Sequence, residues 1–266
     1  MKLLKPALIG LASLALSANS MAAPFAYGDG GSALQNILDD ITVTNPNFTS
    51  DPNDPNDVNG NIPSSVDVVN DTLGNNSWWE ITGSGISGLT RIKALNTQNS
   101  NAAFGIYDVS DPNKKVELFG NSLFTNSINS SSMMDSAAIN IMDDGSVIVN
   151  IFSDSGIDFS HNRFGYYLDT GTDIFYSDKT LNPNEMDHMV AFQGNNLDYI
   201  KIGNHSRGEW TDSEYFLAWD ISGDKDYEDF VVMVESVKNV PEPSVLILCA
   251  IGLLGYGLSQ RKTVEE

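Results

Sequence analysis

Two apolar runs near the end of the sequence decide the fold: Glu214-Tyr-Phe-Leu-Ala-Trp219 and Phe230-Val-Val-Met-Val-Glu235. Each run is nearly continuous in apolar residues, whereas a strand with one face in water alternates apolar with polar residues. The ten residues between the runs, Asp220-Ile-Ser-Gly-Asp-Lys-Asp-Tyr-Glu-Asp229, are mostly polar and include a glycine. The stretch therefore predicts two neighbouring strands, each covered on both faces and joined by a polar loop.

Short runs rich in Ile, Val, Phe and Tyr continue upstream as far as Trp78, with Gly, Asn and Asp between them. No helical periodicity separates them, so residues 78–239 are predicted to form an all-β domain, a β-sandwich with Greek-key or jelly-roll-like connections. Asp143-Asp-Gly145 is predicted to be the tight turn of a hairpin. The predicted strands are Trp78–Ile81, Thr90–Leu95, Ala103–Val109, Lys115–Phe119, Ala137–Met142, Ser146–Phe152, Arg163–Leu168, Thr172–Tyr176, His188–Gln193, Tyr199–Ile202, Glu214–Trp219 and Phe230–Val237.

Residues 23–77 are predicted to be an N-terminal extension with a short helix and a loop rich in Asn, Asp and Pro. Ser32 is the expected cap of a helix over Ala33–Ile41, which has apolar residues at helical spacing. The loop at residues 51–61 resembles a calcium loop but fails the EF-hand pattern: with Gly60 at the sixth position, Pro55 stands at the first, where a ligand belongs. We interpret it as an exposed loop, with metal binding as the alternative.

The loop from Asp220 to Asp229 contains five acidic residues and one lysine. Carboxylates held so close repel one another, and a cation, backbone donors or solvent must offset the repulsion. Ca²⁺ suits such a loop because it takes six to eight oxygen ligands in irregular geometry. Asp220, Asp224, Asp226 and Asp229 are therefore the candidate ligands of a structural calcium ion. The alternative is a solvated acidic loop that binds no metal.

The N-terminal 22 residues have the three parts of a secretory signal peptide. Lys2 and Lys5 supply the positive region, and an apolar stretch at residues 7–16 follows. That stretch is too short for a membrane-spanning helix. Small residues then precede a cleavage site for signal peptidase after Ala22, with cleavage after Ala23 as the alternative. The sequence thus predicts that the chain is exported.

Residues 240–266 combine three features in a fixed order: Pro241-Glu242-Pro243, an uncharged apolar run at residues 245–258, and the basic pair Arg261-Lys262. The run predicts a short transmembrane helix of about 21 Å, less than the roughly 30 Å of a bilayer core, with the basic pair on the cytoplasmic side. This order resembles the PEP-CTERM sorting signal. The resemblance implies processing by an exosortase-type enzyme. It also implies a transient intermediate anchored in the inner membrane by its tail, and then a cell-surface or extracellular protein.

Composition excludes several other functions. The formal net charge is −21, from 35 acidic and 14 basic residues, and such a surface repels nucleic acid. The single cysteine, Cys249, lies in the tail, so the exported domain has neither a disulfide nor thiol chemistry.

Several segments of the β-rich region share a pattern with a known family. They are Phe104-Gly-Ile-Tyr-Asp108, Phe164-Gly-Tyr-Tyr-Leu168, Ser177-Asp-Lys-Thr-Leu-Asn182, Asp187-His188 and Gly223-Asp-Lys-Asp-Tyr-Glu-Asp229. Through them the region resembles the domain-of-unknown-function 4114 family, although Glu228 stands where family members usually have asparagine. That resemblance implies a β-sandwich and no established enzyme activity.

No motif in the sequence predicts catalysis. The three histidines are far apart, and His188 is interpreted as a hydrogen-bonded structural residue. Trp78-Trp79 is interpreted as one buried and one half-exposed ring, with a sugar-stacking platform as the alternative. The leading hypothesis is a non-enzymatic surface or matrix protein, associated with biofilm or exopolysaccharide. The alternatives are a calcium-dependent carbohydrate- or partner-binding module and a secreted hydrolase with paired carboxylates.

Overall fold

The computed structural model describes residues 26–43, 62–73, 76–83, 85–93, 101–120, 136–203 and 205–240. The predicted signal peptide with Ala22, the loop at residues 51–61 and the tail from Pro241 onward lie outside these ranges. Within them the chain is mostly β-structure, with three antiparallel sheets and one α-helix.

The helix, α1 (Ser32–Ile41), comes first along the chain and leads directly into the short strand β1 (Thr42–Val43). The other strands are β2 (Trp78–Ile81), β3 (Ser87–Lys93), β4 (Ala103–Asp108), β5 (Asp111–Phe119), β6 (Ser136–Ile141), β7 (Ser146–Val149), β8 (Ser153–Asp158), β9 (Arg163–Asp169), β10 (Ile174–Tyr176), β11 (Met189–Gln193), β12 (Tyr199–Ile200), β13 (Gly208–Glu209), β14 (Tyr215–Trp219), β15 (Phe230–Glu235) and β16 (Val237–Val240).

The strands form a six-stranded, a seven-stranded and a three-stranded sheet. The six-stranded sheet has the order β16-β2-β9-β4-β5, with β10 also paired to β9. The seven-stranded sheet has the order β11-β14-β15-β3-β6-β7-β8, and the small sheet has the order β1-β12-β13. The hairpin predicted around Asp143-Asp-Gly145 is confirmed: β6 pairs with β7, and Gly145 has the positive φ of 95° that its turn requires.

The hairpin of β14 and β15 lies inside the seven-stranded sheet and is buried on both faces, as its sequence predicts. All five residues of β14 and the first five of β15 are buried. Side chains alternate between two hydrophobic clusters: Leu217 and Trp219 belong to one, and Phe216 and Ala218 to the other. The hairpin therefore needs a covering layer on each side.

The first cluster fills the space between the six-stranded and seven-stranded sheets. Trp79 and Phe104 from one sheet meet Leu217 and Phe230 from the other, and all four are fully buried. The ring of Phe104 lies 5.0 Å from that of Phe230 across the interface. Two sheets that face each other across a shared core form the arrangement of a β-sandwich. The Greek-key or jelly-roll-like order of its connections stays a prediction.

The second cluster covers the opposite face of the seven-stranded sheet. Leu34 and Leu38 of α1 are fully buried there, packed with Phe216 and Val231 of the central hairpin. The small sheet and the segment at residues 62–69 complete this layer. Residues of the predicted N-terminal extension thus share a core with the β-domain.

Two local predictions were wrong. Ser32 does not cap α1, because the carboxylate of Asp29 accepts the backbone N–H groups of Gly31 and Ala33 at 2.8 and 2.7 Å. The strand predicted over Phe230–Val237 is two strands, since Ser236 has a φ of 59° and the chain crosses there to the other sheet. The polar edge strand β8 was not predicted, because Ser153-Asp-Ser-Gly-Ile-Asp158 has no apolar alternation.

We predict that Leu38→Ala lowers the free energy of unfolding by about 2–5 kcal/mol, because it leaves a cavity under α1. Asn36→Ala, on the exposed face of the same helix, is the matched control and should be neutral or slightly stabilising. Urea denaturation followed by tryptophan fluorescence measures both. Equal stability of the two variants would contradict a shared core.

Candidate metal site

The loop at residues 220–229 is closed at its base by backbone hydrogen bonds. The N–H of Asp229 donates to the carbonyl of Trp219 at 3.1 Å, which continues the pairing of β14 with β15. The N–H of Asp220 donates to the carbonyl of His188 at 3.0 Å. The first acidic residue of the loop is therefore fixed relative to two strands of the seven-stranded sheet.

Three of the four predicted ligands come together at this loop. Asp220, Asp224 and Asp226 each place a carboxylate oxygen within 4.8 Å of the other two, which is close enough to share one ion. Asp220 is only 2% exposed, whereas Asp224 is exposed and Asp226 is half-buried. The group thus has a buried end and an open end.

The carboxylate of Asp220 is held in place by the backbone of its own loop. One of its oxygens accepts the N–H of Gly223 at 2.8 Å, and the other accepts the N–H of Lys225 at 3.0 Å. A carboxylate has about four acceptor positions, so these bonds leave capacity for a cation. The loop in this way orients one ligand in advance.

Asp229, the fourth predicted ligand, does not join the group. Its carboxylate accepts the N–H groups of Ile221 and Ser222 at 2.7 and 3.0 Å, and these bonds shape the start of the loop. The position of Asp229 in the sequence does not distinguish a metal ligand from an acceptor of backbone N–H groups, since both roles need a carboxylate that faces the loop.

The three carboxylates repel one another. Burial raises the pKa of Asp226 to about 6, with further contributions from the negative charges of Asp224, Asp229 and Asp220. A bound cation would remove this repulsion.

The neighbouring Glu228 forms an ion pair with Lys93 of β3, and this pair ties the far end of the loop to the sheet.

The N-terminal segment packs against the same loop, a contact that the sequence did not predict. The N–H of Gly28 donates to the carbonyl of Lys225 at 3.0 Å, and the ring of Tyr27 lies edge-on to that of Tyr227 at 5.7 Å. A β-carbon on Gly28 would lie 1.9 Å from the carbonyl oxygen of Asp224, so only glycine fits there. Lys225 and Tyr227 both have positive φ, which this packing stabilises.

His188 is a structural residue, as predicted. It is 6% exposed, its Nδ1 lies 2.7 Å from the carbonyl oxygen of Asp220, and its ring packs on Phe175 at 4.5 Å. The interpretation of the tryptophan pair is also confirmed, because Trp79 is fully buried and Trp78 is half-buried. The indole Nε1 of Trp78 donates to Asp178 at 3.3 Å.

A second acidic region lies near the other end of the central hairpin and was missed in the sequence. Glu209, Glu214 and Glu235 line a cleft of about 400 Å³, together with His205 and the apolar side chain of Met233. Burial raises the pKa of Glu214, and the negative charges of Glu235 and Glu209 add to this effect. Glu235 is 21 residues from Glu214 in the sequence, so strand pairing is what brings it to the other two glutamates.

Asp187 is predicted to give the protein a measurable pH dependence. Burial raises its pKa from the ordinary 3.8 to about 6, so its stabilising contribution is present below pH 4 and is lost as pH rises through 6. Asp187→Asn should stabilise the protein at pH 7.5 by about 1–2 kcal/mol, after allowance for solvent screening, and much less at pH 4. Urea denaturation at both values measures this difference. Asp143→Asn, in an exposed turn, should show no such change; a gain for Asp187→Asn that is equal at both pH values would contradict the prediction.

The predicted sorting residues follow directly after the described part of the chain. Strand β16 ends at Val240, and Pro241, Glu242, Pro243, Arg261 and Lys262 lie outside the described ranges. No helix within those ranges combines the length and the apolar character that a membrane crossing needs.

Comparison with known proteins identifies this end of the chain. Residues 239–262 match the model of the PEP-CTERM protein-sorting motif. Comparisons with curated proteins and with solved structures found no match. The motif indicates an exported protein that is processed by an exosortase-type enzyme and sorted across the membrane to the cell surface.

Proposed function

We propose that the protein is a non-enzymatic component of the cell surface or extracellular matrix, associated with biofilm or exopolysaccharide. The observation that carries this proposal is the sorting motif at residues 239–262, which begins within the last strand of a folded β-domain. A signal peptidase removes residues 1–22, the tail holds the chain in the inner membrane, and the exosortase-type enzyme then releases it. The domain is a β-sandwich of the kind found in the domain-of-unknown-function 4114 family.

Intact-mass spectrometry of the surface fraction tests the sorting step. We expect wild-type protein that begins at Ala23 and lacks the basic end with Arg261 and Lys262. A variant with Pro241→Ala and Pro243→Ala should keep its C-terminus at Glu266 and stay in the membrane fraction, whereas Glu265→Gln should be processed normally. Wild-type surface protein that ends at Glu266 would contradict processing.

A structural calcium ion at Asp220, Asp224 and Asp226 is the second part of the proposal. Three carboxylates within 4.8 Å offer the hard oxygen ligands that Ca²⁺ prefers, and loop carbonyls and water can supply the rest. The ion would offset the mutual repulsion that contributes to the raised pKa of Asp226. Calcium would supply charge neutralisation and a fixed loop, without a catalytic step.

Thermal unfolding with and without calcium tests this site. At free calcium 100-fold above the dissociation constant, binding to the native state adds about 2.7 kcal/mol, which is roughly 5–11 °C in Tm for a domain of this size. Asp226→Asn should remove most of the shift, and Asp158→Asn, in the exposed strand β8, should leave it intact. Equal Tm values for the wild type in calcium and in EDTA would contradict the site.

A calcium-dependent carbohydrate- or partner-binding module is an alternative. It is favoured by the solvent-exposed side of the three-carboxylate group. Asp224 is exposed, so an ion there could also bind hydroxyl groups of a glycan. Pull-down on exopolysaccharide from the producing cells separates the two functions: a binding module is retained in calcium and released by EDTA, whereas a purely structural site changes stability without changing retention.

A secreted hydrolase is the second alternative, and the carboxylate cleft is the observation that favours it. A raised pKa at Glu214 suits a general acid, and Glu235 would be the second carboxylate. Release of reducing ends from exopolysaccharide measures this activity. Loss of the activity in Glu214→Gln, but not in the exposed Glu185→Gln, would support the hydrolase, and no activity in the wild type would exclude this substrate.

A further inference from the structure

The sorting motif and the folded domain share residues. The match to the motif begins at residue 239, whereas strand β16 extends from Val237 to Val240. Asn239 and Val240 are paired with Trp79 and Trp78 of β2. The first residues of the signal are therefore part of the edge of the six-stranded sheet.

Side chains reinforce this pairing on the outer face of the sheet. One oxygen of Glu80 in β2 lies 2.9 Å from Nζ of Lys238 in β16, and the other lies 3.2 Å from the guanidinium of Arg163 in β9. The amide of Asn239 donates to the carbonyl of Trp78 at 3.3 Å. Glu80 thus links β16, the strand that carries the signal, to its neighbour β2 and to the next strand, β9.

The chain between the domain and the predicted membrane helix is short. Only Pro241–Ser244 separate Val240 from the apolar run that begins at Val245. A fully extended chain covers at most about 3.6 Å per residue, so the five Cα–Cα steps from Val240 to Val245 span no more than about 18 Å. A domain of this size has a radius of gyration of about 17 Å, so the folded body would crowd an enzyme that must enclose the motif at the membrane surface.

We propose that Glu80 restrains the sorting signal: its ion pairs, together with the backbone pairing, hold β16 on β2, and processing requires β16 to detach. Detachment adds four residues to the free segment and lengthens its reach to roughly 32 Å. The proposal rests on exosortase processing and adds a conformational step before it. Edge strands open locally more readily than central strands, because only one neighbour holds them.

A cross-strand disulfide tests the requirement for detachment. Glu80 and Lys238 are direct partners in the register of β2 with β16, and paired Cα atoms of antiparallel strands lie about 4.5–5.5 Å apart, which a disulfide can bridge. The double variant Glu80→Cys/Lys238→Cys is made in full-length chain that carries Cys249→Ser and is expressed in the native host. Each single cysteine variant in the same background is the matched control.

We expect the oxidised double variant to keep its tail and accumulate in the membrane fraction, at least tenfold above the single variants. Addition of dithiothreitol to the cells should restore processing. Release of the cross-linked protein at the rate of the single variants would overturn the proposal. The wild type is measured in parallel: if it is never processed, exosortase sorting itself fails, which is a different result.

A second variant tests the ion pairs of Glu80 with Lys238 and Arg163 without a cross-link. Glu80→Gln removes the charge but keeps the shape, and loss of exposed ion pairs should favour the detached strand by about two- to fivefold. Pulse–chase labelling should then show faster tail removal than in the wild type, with the exposed Glu185→Gln as the control. Unchanged or slower processing of Glu80→Gln would contradict a clamping role.

Discussion

The central hairpin of β14 and β15 has no face that can be left in water. Its alternating side chains enter two hydrophobic clusters, one shared with the six-stranded sheet and one shared with α1 and the small sheet. Burial of this much apolar surface is the dominant favourable term in folding. The six-stranded sheet buries one face of the hairpin, and α1 with the small sheet buries the other.

The same hairpin positions both groups of carboxylates described above, one at each of its ends. Its loop, at one end, carries Asp220, Asp224 and Asp226. At the other end, Glu214, just before β14, and Glu235, the last residue of β15, line the carboxylate cleft. After Glu235 the chain crosses to the six-stranded sheet and forms β16, which leads into the sorting motif. Folding of the hairpin and presentation of the sorting signal are thus connected through a single turn at Ser236.

The strands of the hairpin could be predicted because an uninterrupted apolar run reports burial on both faces. Sequence patterns also indicated the acidic loop, the sorting motif and the roles of His188 and Trp79. They could not indicate features set by distant contacts. Glu214 and Glu235 meet only through strand pairing. The carboxylate of Asp229 accepts a backbone N–H of its own loop and does not join the other three carboxylates. Gly28 has no local pattern that points to its contact with the loop.

Native-state hydrogen exchange, read by mass spectrometry, tests most directly whether the hairpin holds both layers in one cooperative unit. We predict that amides of β14 and β15 exchange slowest, and that those of α1 and of the six-stranded sheet reach the same limiting free energy under mildly denaturing conditions. Exchange of α1 through a separate opening of much lower free energy, with the hairpin still protected, would contradict a single cooperative unit.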